Sequence, residues 1–201
     1  MSDNQTESKP PIAIEHSETV YRGHDNAGFT VRRMDAVNGS TGWRGQFHVV
    51  TVKDNRTAVV IIPVRHSHDG VDRILIGRHW RVATGEWSWE LPRGMGEHDE
   101  TVLVTALREL MEETGIHADC SDAHELCTMY ADTGILSNPI RVVRIDLPDS
   151  TEPSSEHDWE LTDMKWVTLG ELHDAIANGL IDDGITLSAL IVYSSMGMDS
   201  I

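Results

Sequence analysis

The sequence predicts an α/β domain preceded by a small antiparallel β unit. Residues 58–64 form a continuous aliphatic run, which is typical of a central strand buried on both faces. Residues 99–114 contain leucines at spacings of three and four, as on the buried stripe of a helix. Residues 18–52 alternate in polarity between turn sequences, which favours strands joined by hairpins.

The chain is expected to begin with a disordered arm over residues 1–16. This stretch is polar, includes Lys9-Pro10-Pro11, and lacks an apolar run long enough for a signal peptide or a membrane span. Residues 17–53 are expected to form the N-terminal β subdomain, with strands near 19–21, 29–34 and 43–52. Such a unit can extend the main sheet or pack across a partner subunit, and a homodimer through these strands is the expectation.

Residues 54–201 are expected to form the main domain. The run at 58–64 and a second at 73–78 predict a hairpin, and the helix at 99–114 follows it. Strands are then expected at 125–130, 140–147 and 164–167, and helices at 168–177 and 185–195. The connection over residues 131–139 is long enough to line a pocket.

Composition excludes some classes of partner. The 201 residues include 33 acidic and 16 basic ones, which gives a formal charge of −17. Such a chain repels nucleic acid, and it would repel an anionic substrate too unless divalent metal ions invert the local field. Cys120 and Cys127 lack the close pairing of a zinc or redox site, so reduced thiols and a cytoplasmic location are expected.

An acidic cluster on the predicted helix is the main candidate for chemistry. Glu109, Glu112 and Glu113 stand at i, i+3 and i+4, so that three like charges converge on one face. A bound cation would offset their repulsion, and ligation by carboxylates alone suits Mg²⁺ or Mn²⁺. Arg108 can pair with Glu112 or with Glu100. The alternative interpretation is a solvated acidic helix face.

A segment rich in arginine and tryptophan precedes this helix. Arg78 and Arg81 are candidates for binding a diphosphate, because guanidinium groups bind phosphate oxygens in a bidentate manner, and Arg81 is the first choice. Ordinary surface ion pairs and core aromatic packing are the alternative. Gly94 would allow a backbone carbonyl to approach a metal ion without a side chain in the way.

The spacing of residues 94–116 is more specific than the cluster alone. Gly94 is followed after five residues by Glu100, and after seven more by Arg108-Glu109; Glu112-Glu113 and Gly115-Ile116 complete the pattern. This resembles the signature of the Nudix hydrolases at every fixed position. The flanking Arg78-His79-Trp80-Arg81 and Trp89-Glu90-Leu91-Pro92 are similar to the ADP-ribose pyrophosphatase branch.

The resemblance implies a fold, a reaction and a set of metal ligands. The fold is an α/β/α sandwich around a mixed sheet. The reaction is hydrolysis of a nucleoside diphosphate linked to another group, with Mg²⁺ or Mn²⁺. Glu109 and Glu113 would be the main metal ligands, Glu112 a further one, and the Gly94 carbonyl a backbone ligand.

Further residues acquire roles by the same resemblance. Glu100 and Arg108 would pair to hold the helix and its loop. A glutamate on the loop before the last strand would act as general base or as an extra metal ligand, and Glu156 is preferred to Glu160 and Glu152. The remaining candidates, for substrate binding, are Arg81, Arg78 and Glu90. Together these roles imply a small-molecule nucleoside diphosphate substrate, with neither nucleic acid nor membrane as partner.

Two departures from the branch leave the substrate open. Residues 131–133 are Ala-Asp-Thr where that branch usually has a proline, and Arg78-His79-Trp80-Arg81 replaces the more usual Arg-Gln-Tyr-Arg. The leaving group can therefore be ribose phosphate, another sugar phosphate or a second nucleoside, as in a dinucleoside polyphosphate. A non-catalytic ligand-sensing Nudix module is the competing function, and an isomerase on the same scaffold would need a catalytic cysteine.

Overall fold

The computed structural model describes residues 10–23, 28–154 and 161–197. The chain divides into two compact units, one comprising Met1–Asn55 and Asp132–Asn138, the other Arg56–Ala131 and Pro139–Ile201. Across the described ranges, no helix has both the length and the apolar character needed to cross a membrane.

The first unit is a three-stranded antiparallel sheet in the order β1-β2-β3, which confirms the predicted β unit. Its strands are β1 (Ala13–Arg22), β2 (Thr30–Val37) and β3 (Arg44–Thr51). Ala13 pairs with Val37, so residues 13–16 lie in a strand, whereas the sequence analysis placed them in a disordered arm. Backbone pairing with β2 orders this polar stretch, and its composition alone does not reveal such a partner.

The second unit contains a mixed seven-stranded sheet. Five strands follow the order β10-β5-β4-β9-β8, while β6 pairs with β5 and β7 with β4. Strands β4 and β9 are parallel, and the other pairs are antiparallel. The strands are β4 (Ala58–His66), β5 (Asp72–Arg81), β6 (Glu86–Glu90), β7 (Arg93–Met95), β8 (Ala123–Met129), β9 (Ile140–Pro148) and β10 (Leu161–Thr168).

Helices cover both faces of this sheet, which confirms the α/β/α arrangement. They are α1 (Val102–Thr114), α2 (Leu169–Ala177) and α3 (Gly184–Gly197). Alternate residues of β4 serve the two faces: Val60 and Ile62 pack in the cluster with α2 and α3, while Ile61 packs in the cluster with α1. Each such buried aliphatic side chain contributes about 1.5–3 kcal/mol, so the central strand anchors both layers.

Three local features differ from the expectation and all of them lie near the candidate site. Strands β6 and β7 were not predicted, because β6 is short and mixed in polarity and β7 has only three residues. Helix α1 begins at Val102 rather than near Asp99, whose φ of 65° is left-handed and cannot continue a helix.

Candidate active site

Helix α1, which carries the acidic cluster, is fixed at both ends by its own sequence. At the N-terminus, the Thr101 side chain accepts a hydrogen bond from the Val104 amide at 3.3 Å. At the C-terminus, Gly115 adopts a φ of 70° and donates its N–H to the Met111 carbonyl at 2.8 Å. The glutamates between these caps therefore stand at defined positions.

Strand β7 lies so close to helix α1 that a side chain at position 94 would displace the carboxyl group of Glu109. Gly94 pairs with Val59 of β4. A Cβ added to Gly94 would lie 1.9 Å from Cδ of Glu109, deep inside van der Waals contact. The main chain of Gly94 and the carboxyl group of Glu109 are thus direct neighbours.

Arg108 is the hub of the acidic cluster. Its Nε donates to Glu100 at 2.8 Å, its Nη1 donates to Glu109 and to Glu112 at 2.9 Å each, and its Nη2 donates to the Met95 carbonyl at 3.1 Å. The Arg108 guanidinium is also the main reason that the pKa of Glu100 is lowered to about 2. Arg108 therefore ties the loop before the helix to the helix itself.

This hub changes the expected arrangement of the carboxylates. The sequence analysis placed three glutamates around a cation, whereas the structure places the Arg108 guanidinium against two of them, Glu109 and Glu112. Over the described part of the chain, no three His, Cys, Asp or Glu side chains are grouped so that they could hold a metal ion. A fixed positive charge thus balances most of the like-charge repulsion.

Glu113 has no such guanidinium partner among the residues that the structure describes. Its Oε2 accepts a hydrogen bond from the Arg93 amide at 3.1 Å. Removal of water around the carboxyl group raises the pKa of Glu113 to about 8, and the nearby charge of Glu109 acts in the same direction. A carboxylate in this environment is stabilised in its charged form by an added cation.

The donor set around Gly94 fits a hard divalent cation. Carboxylate oxygens of Glu109 and Glu113 and a backbone carbonyl are the ligand types that Mg²⁺ and Mn²⁺ prefer. The close contact between Gly94 and Glu109 and the dehydrated carboxyl group of Glu113 are consistent with such an ion. Binding would require Glu109 to exchange its ion pair with Arg108 for the metal.

Behind Glu113, a buried ion-pair cluster links three elements of the sheet. Glu90 is 1 % exposed and binds two arginines. Arg81 Nε donates to Glu90 Oε1 at 2.8 Å, and Arg93 Nη2 lies 2.7 Å from Glu90 Oε2. Arg93 Nη1 also donates to Asp183 at 3.4 Å. Glu90 thus fixes the Arg81 guanidinium, which keeps further N–H donors for a ligand.

The structure does not bring Arg78 together with Arg81. The two residues are three apart on β5, so their side chains leave opposite faces of the sheet. The Arg78 guanidinium lies 5.6 Å from the Trp87 ring centroid and 5.8 Å from that of Trp89, and its Nη1 donates to Asp163 at 3.4 Å. Arg78 is therefore engaged in cation–π contacts, and of the two candidates Arg81 is the one in the cluster around Glu90.

His79 occupies the position at which the ADP-ribose branch usually has glutamine. It is 5 % exposed. Burial lowers the pKa of His79 to about 3, and the positive charges of Arg81 and Arg93 act in the same direction. His79 is thus a neutral polar side chain at neutral pH, like the glutamine that it replaces.

Of the three loop glutamates that were candidates for the general base, the structure describes one. Glu152 pairs with Arg65 at 2.5 Å, and Arg65 also lies 4.7 Å from the ring centroid of Trp166. Arg65 stands near the end of β4 away from Val59 and Gly94, so Glu152 is held apart from the glycine. Glu156 and Glu160 lie outside the described residues.

Sequence reasoning missed two residues that organise the site. Arg93 contacts Glu90 and Asp183 through its side chain and Glu113 through its amide. Thr186, which is fully buried, accepts a hydrogen bond from the Leu91 amide at 3.1 Å. The position of Arg93 beside Gly94 could have indicated its importance, whereas the contact of Thr186 depends on long-range packing.

Comparisons with known proteins agree with this architecture. The family model for the NUDIX domain matches residues 54–186. A CMP-5'-(N-acetyl-N-hydroxy-3-aminopropyl)phosphonate hydrolase of Streptomyces rubellomurinus (strain ATCC 31215) is 27% identical over 174 residues, which cover 87% of this chain and 79% of that protein. An uncharacterized Nudix hydrolase of Schizosaccharomyces pombe (strain 972 / ATCC 24843) is 27% identical over 109 residues, which cover 54% of this chain and 50% of that protein.

A solved structure has the same fold. The crystal structure of an ADP compounds hydrolase has a TM-score of 0.75 and 24% sequence identity, and the match covers 97% of this chain and 98% of that one. The NUDIX match spans more than half of the 201 residues and includes helix α1 with its acidic cluster. The chain therefore belongs to the Nudix hydrolase family.

Proposed function

We propose that the protein is a divalent-metal-dependent pyrophosphatase that hydrolyses ADP-ribose or a related nucleoside diphosphate sugar. The single observation that carries this proposal is the contact between Gly94 and Glu109 beside the dehydrated carboxyl group of Glu113. A backbone carbonyl and two carboxylates in one place form a suitable binding site for Mg²⁺ or Mn²⁺. Products would be a nucleoside monophosphate and a sugar phosphate.

The names of two similar proteins support the class of substrate. The structural neighbour is called an ADP compounds hydrolase, and the Streptomyces relative is called a hydrolase of a CMP-linked phosphonate. Both names describe hydrolysis of a compound that contains a nucleotide. We therefore assign this chemical class to the chain, with ADP-ribose as the first compound to test and a CMP-linked phosphonate as the second.

The side chains near Gly94 would have separate roles in metal binding. Glu109 and Glu113, with the Gly94 carbonyl, would hold the metal ion, and Glu112 would be a further ligand. When bound, the ion neutralises phosphate oxygens and lowers the pKa of a bound water. Arg108 donates to both Glu109 and Glu112 at 2.9 Å, so it would release Glu109 when the metal ion binds and would continue to orient Glu112.

Phosphate binding would fall to Arg81. Its Nε and its Nη2 each donate a hydrogen bond to Glu90. The other N–H groups of the guanidinium can therefore donate to phosphate oxygens. Attack of water on one phosphorus breaks the bridging P–O bond, the hydroxyl group joins that phosphorus, and the other phosphate leaves. The water proton would pass to a general base, for which Glu156 remains the proposed residue.

A substrate panel with product identification tests the proposal. The panel should contain ADP-ribose, ADP-glucose, a dinucleoside polyphosphate and a CMP-linked phosphonate, each with Mg²⁺ or Mn²⁺ and each with EDTA. The proposal predicts AMP and ribose 5-phosphate from ADP-ribose, with no turnover in EDTA. Absence of turnover across the whole panel would favour the ligand-sensing alternative, although the box carboxylates that such modules usually lose are all present here.

We also propose that the first unit carries the contact between two copies of the chain. It exposes several large apolar side chains, which a contact with a second copy would remove from water. The residues are Ile14, Val20, Tyr21, Trp43 and Phe47, each between 40% and 55% exposed. Light scattering after size exclusion should give the mass of a dimer, and Tyr21→Glu should shift it to the mass of a monomer.

A further inference from the structure

A cavity of about 230 Å³ lies beside the Glu90 cluster, between strand β6 and the start of helix α3. The pairing of β5 with β6 places several of the lining residues on one face of the sheet. Arg81 pairs with Glu86, and the same face of β6 also carries Ser88 and Glu90. The side chains that matter for its chemistry are Arg81, Thr84, Glu86, Ser88, Glu90 and Asp182.

The lining of this cavity suits hydroxyl groups rather than phosphates. Two arginines balance the charge of Glu90, and Asp183, which also lines the cavity, pairs with one of them, Arg93. Glu86 and Asp182 therefore remain as the carboxylates that a ligand can meet. Ser88 donates to Asp182 at 3.4 Å, a long hydrogen bond that leaves the carboxylate able to accept others. Carboxylates accept hydrogen bonds from hydroxyl groups and repel phosphate.

Size and position relate the cavity to the proposed reaction. Pockets that enclose a whole drug-sized ligand measure about 300–1,000 Å³, so this smaller cavity accommodates only one portion of a nucleoside diphosphate sugar. Arg81, the proposed phosphate ligand, lines the cavity. A sugar attached to a phosphate at Arg81 would therefore be adjacent to Asp182 and Ser88.

We infer that this cavity binds the vicinal diol of a sugar in the substrate, with Asp182 as the main acceptor and Ser88 as a second hydrogen-bonding partner. The inference rests on the proposed function, because it places the sugar next to the phosphate that Arg81 would bind. It adds a specificity determinant that the Nudix box does not contain. A sugar phosphorylated on this diol is excluded, since its phosphate would face Asp182 and Glu86.

The test combines Asp182→Asn and Ser88→Ala with a matched control, Asp174→Asn. Asp182 is exposed, so its substitution leaves the fold intact, and thermal melts check this. Asp174 is likewise exposed but lies on helix α2, outside the cavity. Binding of ADP-ribose in EDTA is measured by calorimetry, together with analogues that lack one hydroxyl group of the diol in either ribose.

Asp182→Asn should weaken ADP-ribose binding by about tenfold or more, because it removes a hydrogen bond to a charged group. KM should rise to a similar extent, with little change in kcat. Ser88→Ala should weaken it less, and Asp174→Asn not at all. The wild-type protein should discriminate against one of the two deoxy analogues, which identifies the ribose bound, and Asp182→Asn should lose this discrimination.

Unchanged affinity and unchanged discrimination in Asp182→Asn would overturn the inference. Its failure is distinguishable from failure of the proposed function. Turnover by the wild-type protein with unaltered binding by Asp182→Asn rejects the sugar site alone. Weakened binding in Asp182→Asn without turnover by any form rejects the hydrolase and keeps the sugar site.

Discussion

The backbone of Gly94 lies directly against the carboxyl group of Glu109. A Cβ at position 94 would come within 2.2 Å of all three atoms of that group. The Glu109 carboxyl group, which is the far end of a flexible side chain and a proposed metal ligand, would have to move to accommodate a Cβ at this position. The contact therefore links local backbone geometry directly to the proposed chemistry.

Gly94→Ala should abolish most activity while the protein stays folded. Displacement of Glu109 by about 1 Å is enough to reduce turnover about 100-fold. The measurement is kcat on the best substrate of the panel, with circular dichroism to verify folding. Gly39→Ala is the matched control, since a Cβ at Gly39 meets nothing within 4 Å. Equal activity of the Gly94→Ala and Gly39→Ala proteins would contradict the assignment.

Glu113→Gln should make the metal-free protein more stable at alkaline pH. The folded-state pKa of Glu113 is raised from 4.5 to about 8, so between these values the folded state holds a proton that the unfolded state has released. Stability conferred by this group is therefore present at low pH and is lost as pH rises toward 8. Glutamine cannot ionise, so the variant does not lose this stability as pH rises. The difference in the free energy of unfolding should be roughly 1–4 kcal/mol.

Chemical denaturation in EDTA at pH 5 and pH 8 measures this effect. The two proteins should have similar free energies of unfolding at pH 5, and the variant should be the more stable at pH 8. Addition of Mn²⁺ should stabilise the wild type more than the variant, because the variant keeps Glu109 and the Gly94 carbonyl but lacks the Glu113 carboxylate that the cation favours in its charged form. A variant less stable than the wild type at pH 8 in EDTA would argue against a dehydrated Glu113.

Arg108→Ala should destabilise the second unit more than loss of a surface ion pair does. Arg108 is partly buried and holds Glu100 and Glu109, which are also largely buried, so its removal leaves uncompensated carboxylates at a cost of about 2–4 kcal/mol. Arg73→Ala, which breaks the surface pair with Asp69 in the same unit, should cost less. Urea denaturation measures the free energy of unfolding that each variant loses. Equal losses would contradict the central role of Arg108.

Gly115 has a second role beyond ending helix α1. Gly115 and Gly179 both adopt a φ near 70°, yet a Cβ at Gly115 would lie 2.5 Å from Cβ of Ser154, while one at Gly179 meets nothing within 4 Å. Gly179→Ala should therefore cost about 1 kcal/mol for backbone strain, and Gly115→Ala about 1–3 kcal/mol more.

Replacing Ser154 isolates the steric part of this cost. In a protein with Gly115→Ala, the additional change Ser154→Gly should recover most of the difference from Gly179→Ala, because the clashing Cβ is gone. The free energies of unfolding in a double-mutant cycle provide the comparison. Additive effects of the two substitutions would show that Ser154 and Gly115 do not interact.

Those parts of the molecule that follow from local periodicity were predictable from the sequence. The run at 58–64 became the central strand β4, and the spacing around Leu110 gave helix α1, in which that leucine is fully buried. Helix α3 was less predictable in detail. Its apolar Ile191 is 70% exposed, because apolar residues surround this helix and no single face stands out.

Contacts that depend on strand register were beyond sequence reasoning. Glu90 meets Arg81 and Arg93 because β6 folds back on β5 and β7 pairs with β4, and neither short strand was predicted. Glu152 was one candidate for the general base, and in the structure it accepts a hydrogen bond from Arg65, 87 residues away in the chain. In each case a distant partner, and no local pattern, determines where the side chain lies.

Anomalous scattering from crystals grown with Mn²⁺ tests the central claim most directly. We predict a manganese ion bound by the Gly94 carbonyl and the carboxylates of Glu109 and Glu113, with Glu109 released from Arg108. Crystals saturated with Mn²⁺ in which no ion lies beside Gly94, and in which Glu109 keeps its ion pair with Arg108, would contradict the account.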